Sequence, residues 1–184
     1  MPNPILSGRH SIRLKGFDYS RAGIYDITIC TQNRLCIFGD IERGLMVLNR
    51  LGLLVQENWR NIPKHWQSVD LLEYCVMPNH VHGIIVIKHD GGRKKGTLKC
   101  APKGGEKTEA FGKSTRGSIP TIIKTFKAGV TRQVRMSPMR EIYDQIWQRG
   151  YYEHIIRSES DLRKKINYIK TNPQNWDKDL ENIS

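Results

Sequence analysis

Residues 77–88 read Met-Pro-Asn-His-Val-His-Gly-Ile-Ile-Val-Ile-Lys. The apolar run Ile84-Ile85-Val86-Ile87 predicts a strand over 80–88, and 68–77 predicts another. Pro78-Asn79 between them predicts a tight turn or a break. Within a strand, positions i and i+2 share a face. His80 and His82 therefore present two imidazoles together, with Val81 pointing away. A bare His-x-His is usually two partly exposed histidines at a strand end. Here the Met-Pro-Asn lead-in and the apolar strand behind it favour a divalent-metal pair. Two ligands complete no site, so a third must come from elsewhere in the chain.

Working outward, residues 23–31 alternate, with Tyr25, Ile27 and Ile29 on one side and Asp26 and Thr28 on the other. This predicts a half-buried strand. A short strand is expected near Leu45–Leu48. Leu48, Leu51, Val55, Trp59 and Ile62 recur at helical spacing, and Pro63 is expected to close that helix. Ile119, Ile122, Ile123, Phe126, Val130 and Val134 make a second apolar helical stripe. Residues 146–156 read as extended. A last helix is expected from Ser158, with Asp161 three residues on as in a capping box, to about Asn172, where Pro173 stops it. The order is roughly βαββαβα, an α+β fold with helices on one face of a small sheet.

The chain has 184 residues, a single-domain length. No stretch approaches the roughly 18 consecutive apolar residues of a membrane span, so no membrane partner is expected. Residues 1–16 lack an apolar signal core. Cys30, Cys36, Cys75 and Cys100 form no Cys-x-x-Cys pair. They read as reduced thiols of a cytoplasmic protein, not as a thiolate zinc site. The net charge is +12. Between Gly91 and Arg140 stand thirteen Lys and Arg against two acidic residues, which is nearly the whole excess. So local an excess points to a polyanionic partner. The Gly-, Lys- and Thr-rich stretch at about 89–117 reads as a basic flexible insertion in one domain spanning 1–184. A solvated basic loop with no specific partner is the plainer alternative.

On the last helix, at about 100° per residue, Leu162, Ile166 and Ile169 form the core stripe. Tyr168 falls well off it, with Asn172 one turn further on. Lys164, Lys165 and Asp161 border that face. It can offer a nucleophile, a ligating amide oxygen and a phosphate-neutralising charge. Helix geometry alone equally allows a surface tyrosine and a helix-ending asparagine.

Three motifs in order, 77–82, 146–157 (Ile-Trp-Gln-Arg-Gly-Tyr-Tyr-Glu-His-Ile-Ile-Arg) and 166–173 (Ile-Asn-Tyr-Ile-Lys-Thr-Asn-Pro), resemble the single-tyrosine HUH transposases. The REP-associated tyrosine transposase branch is the nearest in pattern. Residues 9–14 and 28–34 are similar to that branch as well, so the resemblance spans most of the chain outside 89–117. It implies the HUH endonuclease/transposase architecture, a ferredoxin-like antiparallel sheet with the histidine pair on a central strand. It implies Tyr168 as nucleophile and His80, His82 and Asn172 as ligands of Mg²⁺ or Mn²⁺. The family often has Gln at the third place. Tyr151 and Tyr152 match the family's strand before the helix and are read as packing or DNA-contacting residues.

A tyrosine hydroxyl titrates near ~10 and is a weak nucleophile at neutral pH. A divalent ion polarises the scissile phosphate and favours the phenolate. Attack yields a phosphotyrosine link and a free 3′-hydroxyl, and strand transfer then reseals DNA without ATP. The two transfers run in sequence or at two sites of a homodimer. The expected partner is single-stranded or hairpin DNA. Phosphate contacts are expected from the basic segment and from Lys124, Lys127, Arg132, Arg135 and Lys165. Tyr151 and Tyr152, with Trp147, can stack on bases or belong to the core. A nicking endonuclease of the replication-initiator type and a nucleic-acid-binding module with lapsed catalysis are the alternatives.

Overall fold

The computed structural model describes residues 18–88 and 115–182. The stretch 9–14, Cys100 and most of the expected insertion at 89–117 lie outside the described residues.

Among the described residues, six strands and four α-helices follow one another: β1 (Gly23–Cys30), β2 (Gly39–Glu42), β3 (Leu45–Leu48), α1 (Arg50–Arg60), α2 (Ile62–His65), β4 (Val69–Val76), β5 (His80–Ile87), α3 (Ile119–Arg135), β6 (Tyr152–Ile156) and α4 (Glu159–Thr171). β2 and β3 form a separate two-stranded ribbon, and the main sheet has the order β4-β5-β1-β6. All its pairings are antiparallel. The chain is thus α+β with a ferredoxin-like sheet, and the histidine-bearing strand is interior.

The expectation of helices on one face holds for α1 and α3 but not for α4. Tyr25, Ile27, Ile29, Val81, Ile85 and Ile87 pack with Leu51, Val55 and Trp59 of α1 and Ile122, Phe126 and Val130 of α3. The alternate set, Ile24, Ile84 and Val86, packs with Ile156 and with Leu162 and Ile169 of α4. β1 is therefore buried on both faces, except at Thr28, instead of half-buried. All eight residues of β5 are buried too. Two covered faces explain why β5 reads as a continuous apolar run.

Local chemistry explains most boundaries. The Asn49 side chain accepts from the Gly52 N–H at 2.9 Å and caps α1. Pro63 does not close a long helix. It sits in the first turn of α2, where its missing N–H costs nothing. Ser158 Oγ accepts from the Asp161 N–H at 3.1 Å, the expected cap of α4. The 146–156 stretch is extended only in part. Trp147 bridges Thr31 in isolation, Gly150 takes φ +81°, and the regular strand covers Tyr152–Ile156. Beyond Asn172 the chain continues as a 3-10 segment, Pro173–Lys178. Gly83 leaves room for Trp59, since a Cβ there would lie 2.6 Å from the Trp59 ring and 2.8 Å from the Tyr74 Cβ.

Candidate functional site

Period-two alternation sets His80 and His82 on the α4 side of β5, in line with Ile84 and Val86. The Tyr168 ring on α4 lies 5.3 Å from the His82 ring. The His80 ring lies 6.3 Å from His82 and 6.2 Å from Trp176. Two histidines and the tyrosine, far apart in sequence, thus meet between the sheet and α4.

His80 is fully buried. Its Nδ1 faces Asn79 Oδ1 at 2.9 Å, and its Nε2 has no hydrogen-bond partner. Burial pushes its pKa down to about 4, against the pull of the Asp179 charge. It is a neutral imidazole at neutral pH. His82 Nε2 lies 2.6 Å from Asp26 Oδ1, and its Nδ1 lies 3.4 Å from Thr28 Oγ1. The other oxygen of Asp26 takes the Lys165 ammonium at 2.7 Å. Burial alone would raise the Asp26 carboxyl, but His82 and then Lys165 outweigh it and hold it below its ordinary range.

Tyr168 donates its hydroxyl to Asp179 Oδ2 at 3.0 Å. Burial, then the Asp179 carboxylate, push the phenol up to about 12, with the Asn172 amide opposing. Asn172 is 2% exposed, and neither its amide oxygen nor its nitrogen has a full hydrogen bond. Orphaned polar atoms in a buried place call for a partner. Among the described residues, no three His, Cys, Asp or Glu side chains converge into a metal site by themselves. The unpartnered His80 Nε2 and Asn172 amide oxygen, with His82 beside His80, are nitrogen and oxygen donors of the kind a divalent cation takes.

The expected DNA-contacting residues scatter. Lys124, Arg132 and Arg135 are exposed on α3, which packs on the sheet face opposite the histidines. Lys127 points inward. Its ammonium donates to the Gln148 carbonyl at 2.8 Å and to the Gly150 carbonyl, and burial lowers its pKa to about 8. Lys165 is held by Asp26. Tyr151 packs at the edge of the α1 and α3 core, whereas Tyr152 is exposed. Trp147 is core, against Phe38 and Phe126. Cys30, Cys36 and Cys75 are free thiols.

Sequence reasoning missed Asp26, Asp179 and Trp176. Asp26 carried one weak signal, an acid in an otherwise apolar strand. Asp179 and Trp176 carried none, because the segment after Pro173 has no periodicity to place it. That segment is tied down by Asn79 Nδ2, which donates to the Glu181 carbonyl at 2.7 Å, and by an ion pair between Arg34 and Glu181 at 2.9 Å.

An interior strand bearing two histidines thus faces a helix bearing a tyrosine across one side of a four-stranded antiparallel sheet. A solved REP-associated tyrosine transposase bound to a REP hairpin shares this fold, with a TM-score of 0.54 and 16% identity. The match covers 93% of this chain and 74% of that one. No protein-family model matches the chain. An uncharacterised protein of Haemophilus influenzae is 44% identical over 178 residues, covering 96% of this chain and 94% of that protein. The chain belongs to that protein's family. Among the described residues, no helix is long and apolar enough to cross a membrane.

Proposed function

We propose that the chain is a single-domain DNA transposase that cleaves and rejoins single-stranded DNA through a phosphotyrosine at Tyr168. One observation carries the reading: the Tyr168 ring lies 5.3 Å from His82 in a site where His80 Nε2 and the Asn172 amide are buried without partners. His80, His82 and Asn172 would hold Mg²⁺ or Mn²⁺. When bound, such an ion polarises a phosphate oxygen and lowers the cost of phenolate formation.

The residues of the chain account for the rest. The Tyr168 oxygen attacks the phosphorus and the P–O3′ bond breaks. The phenol proton passes to Asp179, already its acceptor at 3.0 Å, and the departing 3′ oxygen is protonated from water. The phosphoester energy stays in the tyrosyl link, so a 3′-hydroxyl can reverse the step onto a new strand. The solved transposase of like fold is bound to a REP hairpin, which favours a hairpin as the partner here. The basic segment at 89–117 is assigned the phosphate contacts. A cytoplasmic location fits this substrate.

The test is incubation of the full chain with single-stranded DNA hairpins and Mn²⁺ or Mg²⁺. A covalent protein–DNA species of which one product carries a free 3′-hydroxyl is expected. Strand joining separates a transposase from a nicking endonuclease. No adduct across a broad hairpin set, with tight binding retained, would leave the binding-module reading. The Tyr168 hydroxyl, tied to Asp179 at 3.0 Å, is the observation favouring that second reading.

A further inference from the structure

We propose that Asn79 and Asp26 are positioning residues that set His80 and His82 in opposite tautomers, so that a divalent cation meets Nε2 of one ring and Nδ1 of the other. This rests on the metal-binding part of the proposed function.

The argument begins at Asn79, which is 1% exposed. Its Nδ2 donates to two backbone carbonyls, those of Arg34 at 3.1 Å and Glu181 at 2.7 Å. Both amide protons are thereby committed. The atom turned to His80 must be the oxygen, an acceptor, at 2.9 Å from Nδ1. An acceptor there requires a proton on His80 Nδ1. The neutral ring then carries its lone pair on Nε2, the atom that is buried without a partner.

At His82 the polarity reverses. Asp26 is 4% exposed, with one carboxylate oxygen on His82 Nε2 at 2.6 Å and the other on the Lys165 ammonium at 2.7 Å. A carboxylate oxygen only accepts, so Nε2 bears a proton, and in the neutral ring the lone pair is on Nδ1. His82 Nδ1 faces the Thr28 hydroxyl at 3.4 Å, too long to compete well with a cation. Metal-ligating histidines commonly donate their other N–H to a carbonyl or carboxylate, which fixes tautomer and ring orientation. Here one amide, in the turn between β4 and β5, and one carboxylate, on β1, do so for the two members of one pair. The arrangement also gives Asn79, between Pro78 and His80, a task in the chemistry beyond the turn.

Long-range proton–nitrogen NMR on the metal-free full chain reads the tautomers directly, without DNA or turnover. Nδ1–H is expected on His80 and Nε2–H on His82. The same tautomer on both rings, or a doubly protonated His82 at neutral pH, would overturn the proposal. Asn79→Ala should disturb only the His80 tautomer and Asp26→Ala only that of His82. Each should weaken Mn²⁺ binding, followed by electron paramagnetic resonance, by about 10–100-fold. Folded variants that keep wild-type tautomers and Mn²⁺ affinity would also overturn it, as would a wild-type chain that binds no Mn²⁺ at the site. Wild-type protein with these tautomers and bound Mn²⁺ but no DNA adduct would instead remove the transposase reading and leave this one standing.

Discussion

Tyr168 sits at rest as a phenol, not a phenolate. Its hydroxyl is tied to Asp179, and burial with that carboxylate pushes its pKa up to about 12. A folded-state value above the ordinary ~10 means that the unfolded chain ionises first. The contribution to stability is full below pH ~10 and is lost as pH rises from there toward 12. Tyr168→Phe removes one oxygen and keeps the ring, so the melting temperature should fall only by the loss of the bond to Asp179, about 1–3 kcal/mol, while the covalent adduct disappears. Tyr151→Phe and Tyr152→Phe should retain the adduct. Mass spectrometry after nuclease digestion decides the assignment, and a nucleotide on Tyr151 or Tyr152 would overturn it. Asp179→Asn removes the charge that raises the phenol and also the proton acceptor. Its Tyr168 pKa should fall, its cleavage at neutral pH should slow, and alkaline pH should restore the rate. A pH–rate profile identical to wild type would remove Asp179 from the proton path.

At the level of elements, β5 is constrained on both sides. Toward α1 and α3 it must pass under Trp59, whose ring meets Phe126 edge-on at 5.3 Å. Gly83 makes that passage possible, between the two histidines and the apolar run. Gly83→Ala should cost roughly 1–3 kcal/mol by overpacking, seen as a lower midpoint in chemical denaturation. Its Cβ would press on rigid groups, Trp59 and the Tyr74 Cβ. A neutral result would mean that Trp59 has room to retreat. Toward α4 the same strand carries His80 and His82. His80→Ala or His82→Ala should abolish cleavage while hairpin affinity stays largely intact, because charge supplies most of the affinity. Full cleavage by the double variant in metal-containing buffer would sink the metal assignment.

Among the described residues, the cations of α3 and the tyrosine of α4 lie on opposite faces of the sheet. The exposed cations Lys124, Arg132 and Arg135 belong to the α3 layer, and Tyr168 to the α4 layer. Within the α4 layer, Lys165 is held by Asp26. Hairpin binding should prefer single strands over blunt duplex and weaken steeply with salt. Each neutralised phosphate adds about −0.7 to the log–log slope on single strands. A flat salt dependence in fluorescence anisotropy would count against this mode. Replacing Lys124, Arg132 and Arg135 by Ala tests whether DNA reaches round to the α3 face. Unchanged hairpin affinity and salt slope would confine binding to the α4 side and the 89–117 segment.

Short-range patterns made part of this protein legible from residues alone. The alternation of β1, the apolar run of β5, the Ser158 cap and the Leu162, Ile166 and Ile169 stripe all survive in the structure, because strand and helix periods depend on neighbours a few residues away. The same rules put His80 and His82 on one face and Tyr168 off its stripe. Tertiary structure alone decided which helix covers which face, since local amphipathicity is the same whichever side of a sheet it meets. That choice turned β1 from a half-buried into a buried strand and carried the α3 cations away from the histidines. It also brought Asp26 to His82 across 56 residues and Asp179 to Tyr168 from beyond the helix end. No spacing rule encodes such meetings. They follow from the antiparallel register of β1 on β5 and from where the segment after Pro173 finds its hydrogen bonds.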